Sequence, residues 1–279
     1  MPGKFLLNFT PTGMIPTKAM TPEVPIHPAE IVAQVREAVT LGANMAHLHA
    51  RDPVDGRPTY RPEVYAEIVS GVRLHHPDLV ICLSTSGRDF PGFAERAACL
   101  DLSGDLKPDM ASLTLSSLNF NNQASMNSPD MIKALAARMQ ERGIKPELEA
   151  FDLGMINYAH YLISKGLITP PYYFNLILGN IACAQATLLS LGLMIRELPP
   201  DSYWSVGGIG GAQLRMNIIG IADGGGVRVG LEDNIYWDTE RTRLASNGEL
   251  VERLVTIARA LGCVPYSLSE ARTLLALPT

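Results

Sequence analysis

Short β-like runs alternate with amphipathic helical stretches along nearly the whole 279-residue chain, and no other feature constrains the fold as strongly. The runs are KFLLNFT (4–10), MAHLHA (45–50), LVICLST (79–85), DMASLTL (109–115), ELEAF (147–151), YYFNLIL (172–178), YWSVGG (203–208) and GVRVG (226–230). Helical stretches lie between them, among them 28–42, 62–76, 128–143 and 247–262. Several open with Ser, Asn or Pro and close with Gly, as helix caps and first turns prefer. Parallel strands joined by crossover helices account for this order.

The count selects the architecture. Eight strand–helix units in about 250 residues suit an α/β TIM (β/α)8 barrel, whereas a doubly wound sheet usually stops at about five to seven strands. The expectation is one TIM-barrel domain over 1–279, with no linker or repeat. A short extra helix at 267–277 would pack on the barrel or on a neighbouring chain.

Composition narrows the partners. A formal charge of −5 and the lack of any Lys/Arg run exclude a general attraction to nucleic acid or anionic membrane, so anionic ligands need local charges. Cys82, Cys99, Cys183 and Cys263 are widely spaced without a CxxC pair, and Pro11 and Gly13 interrupt the start where a signal peptide would stay apolar. Reduced thiols in a cytoplasm are expected. The most apolar window, 171–195, is cut by Gly179, Asn180, Gln185 and Gly192 and reads as strand, loop and buried helix, not as a membrane span.

In a TIM barrel, function gathers where strands end. His47 and His49 in ANMAHLHARD stand two apart near such an end, so their side chains share a face while Ala46, Leu48 and Ala50 point the other way. They are either two satisfied polar residues or ligands of one metal, since imidazole is a common zinc ligand. A catalytic zinc needs a third protein ligand, and Glu232 at the end of the eighth run can supply it, because strand eight of a closed barrel is two steps from strand two. The competing reading of Glu232, Asp233 and Asn234 is a helix cap.

Arg228, inside the eighth run, is costly there unless a carboxylate or bound anion pairs with it. It is either a structural ion pair or an anion clamp, and Glu149 is a candidate partner. Ser84, Ser112 and Thr114 offer hydroxyls of the kind that hold a small carboxylate. SVGGIGGAQ (205–213) and DGGGVRVG (223–230) lie near strands seven and eight, where many barrels bind phosphate, and suit the phosphates of a large cofactor better than NAD. No G-x-S-x-G elbow is present.

Taken in order, NFTPTG, HLHARDP, STSGR, KPDMASLTLSSLNF, PELEAFDLGMI and GGGVRVGLEDNIYW resemble the β-keto acid cleavage enzymes over essentially the whole chain. The resemblance implies a Zn2+-dependent barrel that combines a β-keto acid with acetyl-CoA to give acetoacetate and a new acyl-CoA. It implies His47, His49 and Glu232 as zinc ligands, Asp233 as general base, Arg228 assisting that base and orienting charge with Glu149 as its partner, and Ser84 and Ser112 on the substrate carboxylate. It also implies a homo-oligomer, tetramer or dimer. One departure bears on specificity: the family member that takes an amino-bearing substrate has a Glu in TGAE, where this chain has Ile15 in TGMIPTK. A cationic substrate would lack its counter-ion, so the expected side chain is neutral, apolar or anionic. The rival reading is a zinc hydrolase on the same barrel, but the further His ligands of such barrels are missing.

Overall fold

A computed structural model describes residues 3–278, and in it the alternating pattern closes into an eight-stranded parallel barrel. In chain order the strands are β1 (Gly3–Phe5), β2 (Leu7–Phe9), β3 (Met45–Leu48), β4 (Val80–Leu83), β5 (Met110–Thr114), β6 (Leu118–Asn119), β7 (Ala124–Ser125), β8 (Lys145–Ala150), β9 (Tyr172–Leu178), β10 (Ser202–Gly208), β11 (Gly226–Val229) and β12 (Cys263–Pro265). The α-helices are α1 (Pro28–Leu41), α2 (Pro62–His75), α3 (Phe93–Ala97), α4 (Pro129–Arg142), α5 (Leu153–Ser164), α6 (Leu188–Arg196), α7 (Gln213–Ala222), α8 (Asn247–Ala260) and α9 (Leu268–Leu274). Around the barrel run β2, β3, β4, β5, β8, β9, β10 and β11, which pairs back onto β2. The α/β TIM barrel anticipated from the strand count is the observed fold.

Helix α1 illustrates why the crossovers form. Pro28 fits the first turn, the His27 side chain accepts from Ala29 N, and Glu30 reaches back to the His27 N–H, a reciprocal cap worth about 1 kcal/mol. Ile31, Val35 and Ala38 fall on one face and are buried against the sheet, each large side chain contributing roughly 1.5–3 kcal/mol. Gly42 at φ 122° then ends the helix where a side chain would be strained.

Four expectations need correction. The first run splits: only Leu7–Phe9 joins the barrel, while β1 pairs with β12 in a separate two-stranded sheet. The β6–β7 hairpin after β5 gave no strand signal, since each arm has only two residues. Helix α6 is not buried; Leu188 and Leu189 are exposed, and its inward contacts come from Leu191 and Met194. Finally, Gly224 and Gly225 precede β11 and Gly226 opens it at the closed end of the barrel, where a side chain on Gly225 would strike the Trp204 ring. They serve packing, not phosphate binding. Among the described residues no helix is long and apolar enough to cross a membrane.

Helix α9 packs on the barrel itself. Ala271, Leu275 and Leu277 join Leu6, Met45, Val80, Met110 and Tyr173 in one apolar cluster that closes the floor. Arg272 adds an ion pair to Asp109, which also receives Arg73.

Candidate functional site

The opposite end of the barrel, where strands deliver their last residues, holds a cavity of about 770 Å³. His47 is on β3 and His49 just past its end, and both are buried. Strand β2 pairs with both β3 and β11, so the loop after β11 comes within reach of β3. Gly230, at φ 154°, makes that loop possible: it lies against the Thr10 carbonyl where no Cβ fits, and Glu232 N then donates to Thr10 O. The turn after Gly230 aims Glu232 inward, and no helix follows to be capped by Asp233 or Asn234.

These placements bring three ligand atoms together. His47 Nε2 lies 3.1 Å from His49 Nε2, His49 Nε2 lies 3.2 Å from Glu232 Oε1, and His47 Nε2 lies 4.0 Å from Glu232 Oε1. Ligands about 2.0–2.1 Å from a tetrahedral zinc are separated by about 3.3 Å, so the set has the right span. Proton counting points the same way. One hydrogen on His49 Nε2 can serve His47 or Glu232 but not both, and Glu232 Oε2 has no partner among the described residues. A cation among the three atoms would take a lone pair from each without needing the shared hydrogen. Four carboxylates, Glu147, Glu149, Glu232 and Asp233, also gather around Arg228, which bonds only Glu232 and Asp233. The donor set fits a divalent metal.

Glu147 was passed over in the sequence. It is fully buried on β8, accepting from His47 Nδ1 at 2.5 Å, from Asn8 Nδ2 at 2.6 Å and from Cys82 Sγ at 3.3 Å. The contact to Nδ1 leaves His47 Nε2 for the ligand point, the arrangement by which carboxylates orient metal-binding histidines. Its only sequence signal was the period-two spacing with Glu149. Burial opposes the charge on His47, yet Glu147 and Glu232 outweigh it and push the metal-free imidazolium up to about 9. His49 moves the other way, lowered by burial.

Arg228 is fully buried and binds Asp233 Oδ2 through Nε at 2.7 Å and Glu232 Oε1 through Nη2 at 2.7 Å. Glu149 is a looser neighbour at 3.8 Å, its Oε2 accepting instead from Thr114 Oγ1 at 2.6 Å. Burial raises the Asp233 and Glu149 carboxyls, with Arg228 pulling both down. Burial also opposes ionisation of Glu232, but Arg228, His49 and His47 hold it well below the usual range.

Ser84 and Thr114 line the cavity; Ser112 does not, because it sits behind Thr85, accepting from Thr85 N at 3.1 Å. Ser84 Oγ accepts from Ser86 N, which leaves its own hydrogen free to donate. Ile15 is half exposed at the lip beside Met14, Pro16 and Met20. Lys18 turns outward to Glu30 and Pro22 O. Of the glycine-rich stretches, Gly210 after β10 reaches the cavity wall.

The family model described as beta-keto acid cleavage enzyme matches residues 4–277. A 3-oxoadipate:acetyl-CoA acetyltransferase of Cupriavidus necator is 36% identical over 277 residues, spanning 98% of this chain and 95% of that protein. A 3-keto-5-aminohexanoate cleavage enzyme of Fusobacterium nucleatum subsp. nucleatum is 37% identical over 275 residues, spanning 98% of each. Among solved structures, apo ObcA superposes with a TM-score of 0.82 at 22% identity over 94% of this chain and 67% of that one, a likeness of fold.

Proposed function

The chain belongs to the beta-keto acid cleavage enzyme family, and on that premise we propose that it is a zinc-dependent acyltransferase joining a β-keto acid to acetyl-CoA. The observation that carries the reading is the meeting of His47, His49 and Glu232 at one point on the cavity floor, with Asp233 beside it. In the net reaction the C2–C3 bond of the keto acid breaks and C2 bonds to the acetyl carbon. CoA moves to the original keto carbon, so acetoacetate and a new acyl-CoA leave. The Cupriavidus relative, a 3-oxoadipate:acetyl-CoA acetyltransferase, pairs a β-keto acid with acetyl-CoA in the same way.

His47, His49 and Glu232 would hold a divalent ion, which would supply a Lewis acid for the keto oxygen. Ser84 donates its hydroxyl to the substrate carboxylate, and the loop packed on Ser112 holds Ser84 in place. Asp233 takes the C2 proton through Oδ1, which Arg228 Nη2 holds only at 3.3 Å, while Nε keeps Oδ2 at 2.7 Å. Arg228 fixes the direction of that carboxylate and balances its charge. Thr114 and Glu149 close the far wall. The cavity is large enough to admit the thioester arm of CoA beside the keto acid.

The substrate side chain is non-cationic: the lip at Met14, Ile15 and Met20 is apolar, and Lys18 is tied to Glu30. The exposed face of α6 at Leu188, Leu189 and Leu193 supports a homo-oligomer, and four free cysteines support a cytoplasmic location. The test is a panel of β-keto acids incubated with acetyl-CoA, scored by mass spectrometry for acyl-CoA and acetoacetate. Products should appear together, in equal amounts, and only with metal bound. Release of free acid without CoA transfer would refute the reading in favour of hydrolysis.

A further inference from the structure

Arg88 lies on the loop after β4 and lines the cavity, yet the chemistry above gives it no task. Its loop is rigid. Arg88 N donates to Ser86 Oγ, Thr85 is bonded to Ser112 through both its N–H and its hydroxyl, and buried Arg96 holds Thr85 O at 2.8 Å. Gly87 is pressed between the Arg96 guanidinium and Met126 O, so no side chain fits there. Arg88 is thereby delivered to a fixed place.

The guanidinium carbon sits over the Phe120 ring, 3.6 Å from its centre, and Phe120 is met edge-on by Phe151. That contact uses one face and leaves the N–H edge open. The other buried arginines of this end each hold two or more protein partners, with only Arg228 Nη1 left unbonded among the described residues, 3.8 Å from Glu149. Arg51 binds three carbonyls, Arg96 binds Thr85, Met126 and Asn127, and Arg228 binds Asp233 and Glu232. Arg88 Nε, by contrast, is buried with no hydrogen-bond partner among the described residues. Its neighbour Asp89 is bonded to Gln123 instead. Glu232, Glu149 and Asp233 act on it only from a distance and already have closer partners in Arg228 and Thr114. A half-buried guanidinium with an open edge in a ligand cavity is an anion site awaiting its anion.

We propose that Arg88 binds a distal carboxylate of the keto acid, so that the preferred substrates are dicarboxylic β-keto acids and the new thioester is an ω-carboxyacyl-CoA. This rests on the acyl-transfer reading given above. Two carboxylates then have two receivers: the reacting end meets Ser84 and the metal, and the far end meets Arg88. The bonds made and broken are unchanged; the second carboxylate passes intact into the product.

The test compares 3-oxoadipate with the neutral 3-oxohexanoate, equal in chain length, each with acetyl-CoA, in zinc-loaded wild type, Arg88→Ala and Arg88→Lys. Wild type should favour the diacid in kcat/KM by about 10²-fold, the scale of one charge-assisted hydrogen-bonded pair. Arg88→Ala should bring that ratio close to one, chiefly through KM for the diacid, and Arg88→Lys should restore part of it. A wild type with no diacid preference would overturn the proposal and leave the acyl-transfer reading intact. Equal losses for both keto acids would overturn it too, marking Arg88 as a holder of the reacting carboxylate, as would a rise in KM confined to acetyl-CoA, marking a CoA phosphate contact. If neither keto acid gave acyl-CoA, and the wider panel gave none, the reading and the proposal would fall together.

Discussion

At the scale of single residues, the site depends on what stands behind its ligands. Glu147 receives three donors and donates to none, so its carboxylate cannot be replaced by an amide without opposing one N–H to another. Glu147→Gln should therefore release the grip on His47 Nδ1 and weaken zinc binding by roughly 10–100-fold, read by competition with a chelator of known affinity. Asp233→Asn should behave differently. It should keep zinc, since Asp233 is no ligand, while turnover falls by about 10²-fold or more, the range of a positioned base. Zinc content by elemental analysis and steady-state rates separate the two variants, and His49→Ala, which removes a ligand, should lose both. The histidine pair was legible because period two forces His47 and His49 onto one face whatever the fold. Glu147 was not, because a buried carboxylate reads as an error until its three partners, from β2, β3 and β4, are in place around it.

At the scale of elements, strand cores were readable and their ends were not. The runs at 172–178 and 226–230 predict β9 and β11 closely, since continuous apolar stretches mark strands buried on both faces. The segment 4–10 looks equally continuous, yet Leu6 turns into the barrel floor and divides it; that division depends on β12, more than 250 residues away. The cavity lip is likewise set from afar. Arg51 is buried without a carboxylate partner and donates to Gly13 O at 2.8 Å, Pro16 O at 3.0 Å and Gly56 O at 2.8 Å. It ties the loop carrying Ile15 to the loop after β3. Arg51→Met keeps most of the volume but strands three carbonyls, at about 1–3 kcal/mol for each one that water cannot reach. The unfolding free energy should drop by about 3 kcal/mol. Amide hydrogens across 13–21 should exchange faster than those of the barrel strands, and KM for the keto acid should rise because the apolar wall has loosened. Unchanged exchange in that loop would remove Arg51 from the clamp role.

At the scale of the whole molecule, the barrel interior changes character along its axis. The floor is apolar and plugged by α9; above it Asn8, Glu147, Tyr173 and Ser205 form a hydrogen-bonded girdle; above that sit the imidazoles and Arg228, open to the cavity. The barrel has one seam, between β11 and β2, where the last strand meets the first without a short connection. The candidate ligands span it, two from the β3 side and Glu232 from the loop after β11, so a bound metal links the two ends of the chain's circuit. A bound ion would also offset the negative charge of the carboxylates crowded there. The unfolded chain has no such constellation, hence the metal stabilises the native state by RT ln(1 + [Zn]/Kd), about 2.7 kcal/mol when free zinc is about 100 times Kd. For a chain of this length that corresponds to a rise in Tm of about 5 °C. Chelation should lower Tm by that amount reversibly and added zinc should restore it, in scanning calorimetry at fixed protein concentration. His49→Ala should show no zinc-dependent shift, while Asp233→Asn should show the full one. A zinc response that survives in His49→Ala would locate the ion elsewhere and detach the seam from the metal.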